Sequence, residues 1–265
     1  MEQAPIQAQQ LADVWARLDL VMDPELDEPV TDMGFVEAVT ITGPGTVAVS
    51  FRLPTYWCSP NFAFLMAQGI KQEVEALPWV TSARVTLQDH MAAAEMNAAV
   101  NAGGSFADAF TELTRGEDLS ALRAKFDRKA FQRRQEVVLK ALIADGRPAE
   151  AIVAMSLAAL EATPFADDQA RKQSGRYRAL LCAQGLARGP DDPAFVTWEG
   201  APITAGGFRD HMGLLRSVRI NMEFSGSLCR GLKRSRYQEA DISGERPVLV
   251  DYAPPPQSEP AGSCR

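Results

Sequence analysis

Apolar residues recur at spacings of three and four from Leu11 through Val14, Trp15, Leu18 and Val21, the period of an amphipathic helix. The pattern predicts a helix from Ile6 to about Met22, stopped at Asp23-Pro24 because proline disfavours helical geometry in the residue before it. The loop Asp23–Gly34 then carries five acids and two prolines. From Phe35 the period falls to two. Strands are predicted over Phe35–Thr42 and Thr46–Leu53, joined by Gly43-Pro44-Gly45, with Val47, Val49, Phe51 and Leu53 on one face. The helical period returns after Pro60 in Phe62, Leu65, Met66, Ile70, Val74 and Leu77, with Gly69 as a point of close packing. Pro78-Trp79 breaks that helix, and Thr81–Gln88 supplies a third strand. The unit is α-β-β-α-β and closes near Asp89.

Beyond it the pattern is helical as far as about Gly189: Met91–Val100, Phe106–Leu113, Leu119–Ala144, Ala149–Leu160 and Asp168–Leu186. A linker at Arg188–Pro193 leads to an extended run, Ala194–Trp198, and a helical stretch, Phe208–Tyr237, weakened by Gly213, Gly226 and Gly231. The expected class is α+β, divided as an α/β domain over 1–90, a helical bundle over 91–189, a short strand plus helix over 190–242, and a proline-rich tail over 243–265 expected to be disordered.

Charge narrows the function classes. A net charge of −7 and a pI near 5.0 argue against a nucleic-acid binder, so the basic residues at 125–140 are read as a solvated face. No stretch is long and apolar enough for a membrane span, and the first residues lack the form of a secretory leader, which together lead to a cytoplasmic expectation. The four cysteines, Cys58, Cys182, Cys229 and Cys264, form no CxxC pair, which excludes a zinc ribbon or ferredoxin-type motif. Cys182 and His211 lie on helices without partners in the sequence and are read as core residues, and Cys264 as incidental.

Topology says more than motif. A β-α-β crossover makes the second and third strands parallel, while the hairpin makes the first antiparallel. The acidic loop ending at Asp32, the Thr55–Pro60 loop and Asp89-His90 therefore meet at one sheet edge, where open α/β sheets bind ligands. Cys58 lies just ahead of a helix N-terminus, a position that favours a thiolate suited to soft metals. Glu25, Asp32, Asp89 and His90 are neighbours able to add oxygen or nitrogen ligands. Other roles remain open: Cys58 as a small buried residue, Ser59 or Asp23 as a cap, Asp23 and Asp32 as loop formers, and His90 as a hydrogen-bonded structural residue.

Asp23-Pro24-Glu25, the run Pro29-Val30-Thr31-Asp32-Met33-Gly34-Phe35-Val36, and Thr55-Tyr56-Trp57-Cys58-Ser59-Pro60 together resemble the signatures of the metal–sulfur cluster biosynthesis family, the PaaD/SufT-like iron–sulfur assembly proteins. The likeness covers about residues 8–90, with Ser59 inserted between cysteine and proline and Trp79 in place of the usual turn glycine. It implies a non-enzymatic maturation factor. Cys58 and Glu25 would hold iron or an iron–sulfur cluster transiently, and Asp23, Asp32, Thr55, Asp89 and His90 would shape the site. The partner implied is a client metalloprotein, and homodimerisation is compatible with the family. The helical extension further resembles accessory proteins of bacterial di-iron monooxygenases. The alternative is a metal-free interaction module or chaperone for an oxygenase subunit. A metal-dependent enzyme has the least support, with no HExxH, GxSxG or phosphate loop and only two histidines.

Overall fold

The computed structural model describes residues 3–110 and 119–237. The end of the predicted helix beyond Phe110 and the 243–265 tail lie outside that range. The class is α+β. Helix α1 (Gln3–Leu18) leads into two short paired strands, β1 (Met22–Asp23) and β2 (Glu28–Pro29), inside the segment read as a loop. The main sheet follows as β3 (Val36–Gly43), β4 (Thr46–Arg52) and, after helix α2 (Pro60–Glu75), β5 (Ser82–Gln88). Its order is β3-β4-β5, antiparallel then parallel, as the crossover argument requires. Val47, Val49 and Phe51 are buried against α1 and α2. Gly69 lies against Val21, where an added Cβ would come within 3.1 Å of a valine methyl.

Helix α3 (Ala93–Asn101) covers the open edge of β5 with two asparagines spaced one helical turn apart. Asn97 accepts from the Leu87 N–H (2.8 Å) and donates to the Leu87 carbonyl (3.0 Å); Asn101 does the same for Val85 (2.9 and 2.7 Å). The two side-chain amides thus stand in for a fourth strand. Replacing Asn101 by Ala should leave both Val85 backbone groups without these partners and cost about 2 kcal/mol, read by urea denaturation of the full chain.

After the short helix α4 (Phe106–Ala109), the remainder is helical: α5 (Ser120–Ala144), α6 (Ala149–Val153), α7 (Leu157–Glu161), α8 (Asp168–Ala183) and α9 (Phe208–Tyr237). The predicted single helix Ala149–Leu160 is two, because Ser156 caps α7 by accepting from the Ala159 N–H. Residues 194–198 form a single bridge, Val196 with Pro202, rather than a strand. Cys182 is exposed, contrary to the core reading, because it lies on the outer side of α8.

Two cores result. The first joins the sheet, α1 and α2 to Met96, Val100, Phe110 and Leu119. The second gathers Phe131, Leu139, Tyr177, Phe195, Phe208 and Leu215. At its centre buried Gln135 donates to the Tyr177 hydroxyl and the Val196 carbonyl, and its side-chain oxygen meets His211 Nε2 at 2.6 Å. Helices α5 and α9 each reach from one core to the other. Leu122 and Cys229 pack on the first, Phe131 and Leu215 in the second. That double anchorage is why α9 runs unbroken for 30 residues through three glycines.

Candidate functional site

The acidic loop folds around its own aspartates. Asp23 accepts from the Glu25 and Leu26 N–H groups, both at 2.9 Å, making it a loop former rather than a helix cap. Its carboxyl is 7% exposed, and burial pushes its pKa up from 3.8 to about 6, against the pull of those two bonds. Asp27 takes a left-handed conformation (φ 51°) and is gripped by Arg134 of α5, Nε to Oδ2 at 2.9 Å and Nη2 to Oδ1 at 2.5 Å. Arg133 donates to the Asp27 carbonyl at 2.6 Å and reaches Glu28 at 3.3 Å. The basic run on α5 is therefore not wholly a solvated face: Arg133 and Arg134 are mostly buried because the acidic loop needs their charge.

Cys58 sits half-buried at the end of the β4–α2 loop, its Sγ 3.1 Å from Thr55 Oγ1. Ser59 occupies the helix N-cap position but makes no side-chain cap bond, so that reading fails. Buried His90 fixes the loop from the end of β5. Its Nδ1 accepts from the Ala92 N–H (3.1 Å), which leaves Nε2 protonated to donate to the Cys58 carbonyl (2.8 Å). With both nitrogens used by the backbone, His90 orients Cys58. Met91 N–H adds a bond to the Tyr56 carbonyl at 2.8 Å, and Trp57 between these ties stands 71% exposed.

The C-terminal half of α9 crosses the same edge. Arg230 bonds Glu28 at 2.5 Å and approaches Met33 Sδ at 3.3 Å. Lys233 holds the Gly34 carbonyl and Glu37. Exposed Asp89 accepts from Arg236 (3.0 Å) and the Tyr237 hydroxyl (2.6 Å), which turns it toward the helix end. Asp32 is exposed and lines a cavity of about 740 Å³ with Arg52, Arg230, Lys233 and Tyr237. Glu25 lines another of about 420 Å³ between the acidic loop, α5 and α9 near Ser225.

This docking brings in a residue no local pattern marks. Cys229 packs on the same core as Cys58. Burial pushes its thiol up to about 11, with Asp23, Cys58 and Glu25 adding to the rise and Arg230 opposing it. Cys58 and Cys229 thus pack on one core, with Asp23 and Glu25 close enough for their charge to bear on the Cys229 thiol, while Asp32 and Asp89 face basic residues of α9. Both cysteines are free thiols, the donor type iron–sulfur chemistry uses. Among the described residues no group of three or more His, Cys, Asp or Glu is arranged to hold a metal ion, and no helix is long and apolar enough to cross a membrane.

Comparison with curated proteins returns no match. Residues 11–87, the segment that carries the acidic loop, Thr55 and Cys58, match the family model described as iron-sulfur cluster assembly protein, and the N-terminal part of this chain is a domain of that family, with a role in cluster assembly.

Proposed function

We propose that the chain is a non-enzymatic maturation factor that carries iron or an iron–sulfur cluster to a client metalloprotein in the cytoplasm, with Cys58 as the transient ligand. The observation that carries this reading is the presentation of Cys58: a thiol beside Thr55, on a loop fixed by His90, ahead of α2 and next to the acidic loop. A thiol held this way can bind a thiophilic cargo, and a site with few ligands lets it go again. The helical extension would present the domain to the client. The resemblance raised by the sequence makes a di-iron monooxygenase component the first client to examine.

Anaerobic reconstitution of the full chain with iron and sulfide tests the assignment. Wild type should hold both elements, whereas Cys58→Ala should lose them by at least about tenfold with its melting curve little changed, since loss of supporting residues alone costs metal sites that much. Equal iron in the two proteins would sink the thiolate role.

One observation favours the alternative, a metal-free chaperone. Helix α9 exposes Ile220, Phe224, Leu228 and Leu232 at successive four-residue steps, an apolar ridge of the kind that docks a protein partner. On that reading Cys58→Ala would still bind and stabilise the oxygenase subunit, with no iron effect to record.

A further inference from the structure

We propose that Cys58 and Cys229 form a two-thiol half-site, one thiol from the N-terminal domain and one from α9, which holds an iron–sulfur cluster whose other ligands come from a partner protein. The inference rests on the assembly reading above and adds to it a second ligand and a shared cargo.

The two cysteines are distant in sequence, yet α9 is held at the Cys58 edge by the Arg230–Glu28 pair at 2.5 Å, the Arg230 contact with Met33, and Lys233 on Glu37 at 3.0 Å. Both thiols pack on one core, and Cys229 directly precedes the Arg230 that pairs with Glu28 of the acidic loop.

Iron–sulfur clusters take four protein ligands, usually thiolates, so two thiols of one chain meet half that need. The remainder must come from the donor or acceptor protein. Such sharing suits transfer, because the cluster can pass by stepwise exchange of thiolates. Each incoming thiol gives up a proton to solvent as it binds iron, each departing thiolate takes one up, and no electron is exchanged.

The rim agrees with a shared site. Each cysteine directly follows a large exposed apolar residue, Trp57 (71% exposed) before Cys58 and Leu228 (55%) before Cys229. A partner seated on those two side chains would bury apolar surface around the cluster and keep water from it.

The test uses the full chain carrying Cys182→Ser and Cys264→Ser, so that only the two thiols remain. Dibromobimane, which fluoresces strongly once it has bridged two thiols, should label this protein with loss of both thiols by intact mass. Adding Cys58→Ser or Cys229→Ser should abolish the bridge. Cadmium titration should show thiolate charge-transfer absorbance that falls by about half or more in either single variant, as expected when one of two soft ligands is lost. After anaerobic reconstitution, iron retention should drop in Cys229→Ser and equally in Cys229→Ala, while both variants still melt cooperatively as folded chains. Failure of the bridge, with Cys58 still needed for iron, would overturn the half-site and leave the assembly reading standing. A bridge with iron retention indifferent to both cysteines would overturn both.

Discussion

Replacing Arg134 by methionine is expected to destabilise the full chain by about 3 kcal/mol at neutral pH, measured by urea denaturation. The Asp27 side chain is 2% exposed and receives both arms of the Arg134 fork, at 2.9 and 2.5 Å. Methionine matches the length of the stem but leaves the carboxylate buried without its partner, which costs far more than the ion pair is worth relative to apolar packing. The loss should sit at the lower end of the range for broken buried pairs, because Arg133 Nη1 remains 3.9 Å from the Asp27 carboxylate. Adding Asp27→Asn to Arg134→Met should recover part of the loss, since the unpaired charge is then gone. A double variant no more stable than Arg134→Met alone would mean that buried charge is not the cause.

Asp23 should act on stability through pH. Its folded pKa of about 6 lies above the ordinary 3.8, so the folded chain holds that proton more tightly than the unfolded one. The contribution is complete below about 3.8 and is lost as pH rises through about 6, and the gap corresponds to about 3 kcal/mol. Above that window the folded state must keep an ionised carboxyl out of water. Asp23→Asn retains an oxygen for the Glu25 and Leu26 N–H groups without the charge. The variant should therefore be more stable than wild type at pH 8, by about 2 kcal/mol, and equal or weaker at pH 4. Urea midpoints across that range decide it; an Asn variant less stable at pH 8 would show that the carboxylate is needed ionised.

The N-terminal domain was largely legible because its elements announce themselves locally. Val47, Val49 and Phe51 alternate as a half-buried strand must, and Gly43-Pro44-Gly45 marks the hairpin, with Gly45 at φ 71°. The parallel pairing of β4 with β5 then followed from chain connectivity, and with it the meeting of Cys58 and His90 at one edge. What could not be read was pairing between distant parts of the chain. Five acids in one loop invite a metal reading, but Asp27 and Glu28 are matched by Arg133, Arg134 and Arg230 from two far helices. Cys229 belongs to the same class, since nothing around it in sequence resembles a ligand motif. The three glycines of α9 lower helix propensity, yet packing on two cores outweighs them. Asn97 and Asn101 look like ordinary surface residues until β5 is known to be an edge that needs them.

Cluster transfer tests directly whether Cys58 carries the cargo. The wild-type chain is reconstituted anaerobically and mixed with an excess of an apo-ferredoxin, and growth of the ferredoxin's visible circular dichroism is followed against free iron and sulfide. The wild type should deliver its cluster faster than the free ions do, and Cys58→Ala, tested at the same concentration, should do no better than those ions. Delivery by Cys58→Ala at the wild-type rate would contradict the role of Cys58 as the transient ligand.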